Sequence, residues 1–184
     1  MADQDPACLV LLVRHGEANY AALRSHGPVY EGARSDLAPL SDRGVVQAEQ
    51  LAATLARYRP ALVVSSPYTR TLHTAALLAA RLQCRLAVDL CLHDWLPVRD
   101  GASVITPEVV RQKVAEYDDW KRDGRLPDQR TWESDEEMRE RLIAVVGRRA
   151  AEPALVIVTH EAVIKAATGA ATVALASWHR LVDG

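Results

Sequence analysis

At 184 residues the chain is long enough for one domain with a sizeable core, and no shift in composition marks a second, so a single domain spanning 1–184 is expected. Hydrophobic residues at 49 % and charged residues at 25 % are ordinary for a globular protein, while a formal net charge of −2 with no dense basic run argues against nucleic acid as a partner. The acidic opening MADQDPA lacks the order of a secretory leader and no stretch approaches the ~20 apolar residues of a membrane span, so a cytoplasmic protein without a membrane partner is the expectation.

In chain order, the first predicted element is the apolar run CLVLLV (8–13), which stops at Arg14, His15 and Gly16. Glu17 and Asn19 follow as candidate substrate contacts and open an irregular stretch, 19–40, that carries His26, Tyr30 and Arg34. Ser41 as N-cap and Pro60 as stop then bracket a helix, with Ala48, Leu51, Ala52, Leu55 and Tyr58 on one stripe. A second strand, ALVVSS (61–66), leads through SSPYTR into a helix from Tyr68 to Leu82, with Leu72, Ala75, Ala76, Ala79 and Leu82 on its apolar face. Arg70 lies about one turn into that helix.

The third strand, RLAVDL (85–90), is followed by CLHDWLP, which carries Asp94 and opens a second irregular stretch over 91–106. Thr106, Pro107 and Glu108 open a helix that Gly124 ends, and the capping box Ser134 to Glu137 opens another that buries Met138, Leu142 and Val145. The fourth strand, ALVIVT (154–159), delivers Thr159 and His160, and a last helix runs from near Glu161 to Gly169, soon after which the chain ends. Runs apolar on both faces suit buried parallel strands, and strands alternating with helices imply an α/β fold, a mostly parallel sheet covered on both faces as a three-layer α/β/α sandwich. Cys8, Cys84 and Cys91 lack the spacing of a zinc site and read as reduced core thiols.

In such a sheet ligands bind outside the carboxyl ends of the strands. Those ends carry Arg14, His15, Arg70, Asp94 and His160. Each has a plain structural alternative: Arg70 as a solvated helix residue, His160 as a helix cap, Asp94 as a turn former. Neighbouring strands are ~4.8 Å apart, so two arginines and two histidines can converge on a volume the size of one phosphate. Arginines would neutralise a phosphate monoester, and their charge would help keep His15 neutral and nucleophilic. With no acidic cluster suited to magnesium, Arg14, Arg70 and His160 must stabilise the transferring group, and Asp94 is the best placed acid for the leaving alkoxide.

These residues stand in four blocks, LVRHGEA, PLSDRGVVQAEQLA, VVSSPYTRTLHTAALLA and VIVTHEAVI, and with them the sequence resembles the histidine phosphatase superfamily, also called phosphoglycerate-mutase-like. The resemblance lies with its short, phosphatase-type members. It implies that His15 is transiently phosphorylated, that Arg14, Arg70 and His160 form the phosphate pocket, and that a carboxyl near residue 94 serves as acid and then base, with no metal and no organic cofactor. Asp94 departs from the family's usual glutamate, which leaves Glu17 and Asp100 as alternatives. Ala18 stands where threonine is common, and Glu161 where glycine is common.

The expected function is a phosphatase acting on a small phosphorylated metabolite. A phosphoglycerate-type mutase is the runner-up; it would need a second anion site, for which Arg99, Arg111, Lys113 and Arg125 are available. A catalytically idle phosphate-binding module is a third reading, set aside because both histidines and both arginines are present. Substrate choice is expected to lie in the loops over 19–40 and 91–133, with Trp95, Trp120 and Trp132 either lining the mouth or packing a lid. The oligomeric state is open, a homodimer being compatible with the sequence.

Overall fold

The apolar runs form the sheet at the centre of the protein, whose computed structural model describes residues 8–25, 32–99, 105–124 and 130–182. Strands β1 (Leu9–Arg14), β2 (Leu62–Ser65), β3 (Arg85–Val88), β4 (Ala154–Thr159) and β5 (Trp178–Arg180) line up in the order β3-β2-β4-β1-β5. The first four are parallel; β5 is antiparallel to β1 and is the one strand among the described residues that sequence patterning did not anticipate. Its three residues, Trp178, His179 and Arg180, contain no apolar run to read.

β4 is buried at every residue because β1 and β2 flank it. β3 behaves otherwise. It is an edge strand, with Leu86 and Val88 exposed, so burial on both faces does not hold for RLAVDL. The strand also ends early, because the Asp89 carboxylate accepts a hydrogen bond from Cys91 N at 3.1 Å and starts a 3-10 turn over Leu90–Leu92. The three cysteines are half-buried beside this framework.

Alternate residues of each central strand point to opposite faces, which builds two cores. On one side Val10, Leu12, Val64, Leu155 and Ile157 pack against Met138, Leu142 and Val145 of α5 (Asp135–Gly147) and Val163 and Ile164 of α6 (Glu161–Thr168). On the other Leu11, Val13, Val63, Val156 and Val158 meet Leu51 and Leu55 of α2 (Asp42–Leu55) and Ala75 and Leu78 of α3 (Thr69–Leu82). The result is a three-layer α/β/α arrangement, as the sequence predicts. Its caps match as well: Ser41 Oγ accepts from Gly44 N, Thr106 Oγ1 from Val109 N, and Ser134 with Glu137 completes the capping box.

Two α-helices among the described residues lie outside these layers. The short α1 (Ala21–Ser25) follows Asn19, whose side chain accepts from Ala22 N. α4 (Pro107–Asp123), ended by Gly124 in the left-handed conformation, has no buried residue along its length. No helix among the described residues is long and apolar enough to cross a membrane.

One backbone crossing fixes where β1 ends. A Cβ on Gly16 would lie 2.7 Å from Gly44 O, and a Cβ on Gly44 would lie 2.2 Å from Glu17 O, so only glycines let the segment after β1 rest on the first turn of α2. The crossing is sealed by Glu17 N donating to Gln47 Oε1 and Gly16 N to Thr74 Oγ1.

Candidate active site

β1 and β4 pair in register, Arg14 opposite Thr159, so His15 and His160 each follow the last residue of adjacent strands. His15 N donates to Thr159 O at 3.2 Å, and the two imidazoles meet edge to face with centroids 5.5 Å apart. His15 Nδ1 lies 2.7 Å from Gly16 O. A carbonyl only accepts, so Nδ1 carries the proton and Nε2 presents a lone pair. Arg70 Nε donates to that lone pair at 3.1 Å.

Arg70, buried in the first turn of α3, organises the rest. Its Nη2 donates to Asp94 Oδ2 at 2.9 Å and stands 3.3 Å from His160 Nδ1, while Nη1 reaches Ser35 O. Asp94 Oδ2 is also 3.2 Å from His160 Nδ1, and Ser66 Oγ is 2.8 Å from His160 Nε2. All these groups are satisfied together when Nδ1–H faces Asp94 and the Ser66 hydroxyl donates to Nε2. Tyr68 packs its ring against His160 and beneath the Arg70 guanidinium, at 5.0 Å in each case.

Arg14 enters from β1. Its Nη1 donates to Val173 O and to Glu161 Oε2, both at 2.6 Å, whereas its buried Nε has no partner among the described residues. Glu161, in the first turn of α6, also pairs with Lys165. Two carboxylates, Asp94 and Glu161, therefore already sit on the two arginines that would receive an anion.

Both imidazoles are held neutral. Burial is the main cause that lowers the His15 pKa to about 4, with Arg70 and Arg14 adding to it and Gly16 O and Asp94 opposing it. Charge repulsion from the arginines, expected from the sequence to help keep His15 neutral, acts in that direction but is secondary to desolvation. For His160 burial comes first again and Arg70 next, and its pKa falls well below the ordinary histidine value.

Arg14, His15, Arg70, Asp94 and His160 thus converge, as their positions at the strand ends predict. Glu17 and Asn19 do not join them: the Glu17 carboxylate accepts from Ser41 Oγ at 2.8 Å and lies near Arg43, and Asn19 caps α1. Asp100, Arg125, His26 and Tyr30 lie outside the described residues, as does the Arg34 side chain. Arg99, Arg111 and Lys113 are each engaged by a carboxylate, of Glu137, Glu108 and Glu116 respectively. Trp95 lines the cleft, Trp132 is fully buried, and Trp120 packs on Trp132 and Tyr117. No group of three or more His, Cys, Asp or Glu among the described residues is disposed to hold a metal ion.

Sequence reading missed three supports. Ser66 and Tyr68 orient His160, and the nearly buried Arg141–Glu133 pair sends Arg141 Nη1 to Cys91 O at 2.5 Å and Nη2 towards Asp94 O, holding the segment that presents Asp94. The SSPY segment itself was the available signal for the first two. Nothing local links residue 141 to residue 94. Above the convergent groups opens a cleft of about 1020 Å³ whose floor includes Arg14, His15, Arg70 and Asp94.

The model of the histidine phosphatase superfamily (branch 1) matches residues 10–182. Among solved structures, a mycobacterial glucosyl-3-phosphoglycerate phosphatase superposes with a TM-score of 0.67 at 23 % identity, over 95 % of this chain and 90 % of its own. A candidate alpha-ribazole-5'-P phosphatase from Escherichia coli K-12 gives 0.58 at 24 % identity, over 86 % and 76 %. A candidate phosphohistidine phosphatase from Agrobacterium tumefaciens gives 0.59 at 17 % identity, over 96 % and 92 %. At these identities the likeness is one of fold, and no curated protein matches the chain.

Proposed function

The chain belongs to the histidine phosphatase superfamily, branch 1, and from that premise we propose that it hydrolyses a small phosphate monoester through a phosphohistidine on His15. The observation that carries this reading is the orientation of His15, whose Nδ1 is tied to Gly16 O while Nε2 meets Arg70, the side chain that also reaches Asp94 and His160. In the first step Nε2 attacks phosphorus and the bond to the ester oxygen breaks. Asp94 gives its proton to that oxygen, so the alcohol leaves neutral. In the second step Asp94 takes a proton from water, the water oxygen attacks phosphorus, and the P–N bond breaks to return His15 and phosphate.

Arg14, Arg70 and His160 surround the transferring group and supply the positive charge and hydrogen-bond donors that it requires, so no metal or organic cofactor is needed. For an incoming phosphate to reach Arg70, the Asp94 carboxylate must give up its ion pair, and the proton it then carries is the one it donates. Hydrolysis is favoured over mutase chemistry because, among the described residues, Arg99, Arg111 and Lys113 are each paired with a carboxylate that has no part in the proposed reaction, unlike Arg70 with Asp94. The reading treats the chain as one domain acting in the cytoplasm on small esters, with segments around 19–40 and 91–133 shaping the substrate side.

The test is chemical trapping. Brief mixing with a ³²P-labelled monoester and quenching in base should leave acid-labile, base-stable phosphate on the protein, absent in His15→Ala. Label that persists in the variant, or none in the parent during turnover, would overturn the assignment.

A further inference from the structure

The cleft above the phosphate end has one wall that is continuously apolar. Its far wall is α4, where Val110, Val114 and Tyr117 recur at helical spacing, preceded by Ile105 and Pro107 and faced by Trp95, Leu96 and Pro97. Tyr117 and Trp95 back onto the core, but no residue of α4 is fully buried, and Ile105 and Val114 remain 37 % and 41 % exposed. An apolar stripe exposed inside a concave site that is continuous with a charged floor is the usual form of a ligand wall.

Several of the polar groups around it are engaged. Arg111 is paired with Glu108 at 2.7 Å, Thr106 Oγ1 caps α4, and Lys165 is paired with Glu161 at 2.6 Å. Asp36 and Asp118 add negative charge to the lining, which disfavours a second anionic group on the substrate. The volume, about 1020 Å³, far exceeds what a phosphate needs and matches a drug-sized ligand.

We propose that the leaving group is a bulky apolar alcohol, aliphatic or aromatic and uncharged, whose hydrocarbon lies along Val110, Val114 and Tyr117 while its phosphate rests on the arginines. The inference rests on the phosphatase reading of the floor. It makes α4 the element that chooses the substrate.

A homologous series separates the two claims. Linear alkyl phosphates from ethyl to hexyl have alcohols of nearly constant acidity, so kcat/KM should rise about three- to fourfold per methylene as apolar surface is buried. Calorimetric affinity for the matching non-hydrolysable alkylphosphonates should rise in step. Val114→Asp should reduce the hexyl to ethyl ratio at least tenfold, and Val114→Leu should preserve it. Because Val114 is half exposed, neither change should threaten folding. A flat chain-length series, or turnover confined to glucose 6-phosphate or 3-phosphoglycerate, would overturn the inference and leave the phosphatase intact. Phosphonate affinity that climbs with chain length while no ester is turned over would uphold the apolar cleft and overturn the hydrolase.

Discussion

At the scale of single residues, the site carries more negative charge than a phosphate pocket needs. Asp94 lies on Arg70 and Glu161 on Arg14, so an arriving anion meets two carboxylates as well as two guanidiniums. Both should weaken the binding of free phosphate, but only one has a chemical task in the proposed reaction. Glu161→Gln and Asp94→Asn should each tighten inhibition by inorganic phosphate severalfold at neutral pH, in line with partly exposed pairs worth up to about 1 kcal/mol. Only Asp94→Asn should slow an alkyl phosphate, by ~10²-fold or more. An equal loss of turnover in Glu161→Gln would move the acid to α6. Initial-rate kinetics with phosphate as competitor give both readouts.

At the scale of elements, the crossing of Gly16 over Gly44 makes a prediction of unusual sign. Replacing glycine by alanine inside a helix normally stabilises it by about 1 kcal/mol. In α2 the new methyl carbon would lie 2.2 Å from Glu17 O, so Gly44→Ala should destabilise by about 1–3 kcal/mol and shift the backbone that holds His15. A lowered urea midpoint with reduced kcat is expected; an unchanged or raised midpoint would mean that the crossing relaxes freely.

This crossing also shows what a sequence can reveal. The apolar runs, the caps at Ser41, Thr106 and Ser134 and the positions of the two histidines were legible, since each depends on a few neighbouring residues. β5 was not, since three residues paired only through β1 leave no local pattern. Nor was the diversion of Glu17 to Ser41, because both lie on segments brought together by the two glycines.

At the scale of the whole molecule, two neutral histidines at the heart of the fold tie its stability to pH. His15 titrates at about 4 when folded and near 6.5 when unfolded, so below pH 6.5 protons bind the unfolded chain preferentially. The stabilisation is complete above about pH 6.5 and is lost as pH falls towards 4, to the extent of about 3 kcal/mol. His160 acts in the same direction. Glu137, held well below the ordinary carboxylate range chiefly by Arg130, adds its own loss only in more acid solution, below its usual pKa of 4.5. Thermal midpoints should therefore fall between pH 7 and pH 5, with a shallower slope in His15→Gln; a flat profile in that window would mean that the histidines are not buried as neutral rings. The sheet order sets a further condition on this molecule, one of timing. β4 sits between β1 and β2, and Leu9 pairs with Ala154, so the strand made first has no parallel neighbour until nearly the last one is made. During synthesis at ~5–20 residues per second β1 waits on the order of ten seconds, its apolar length unsheltered. Arg14 and His15 thus meet Thr159 and His160 in one late event. A ribosome-bound chain stalled before β4 emerges should accordingly hold β2, α3 and β3 in contact with a chaperone and bind no phosphate, and the release of a few dozen residues more should establish the sheet and the anion site together.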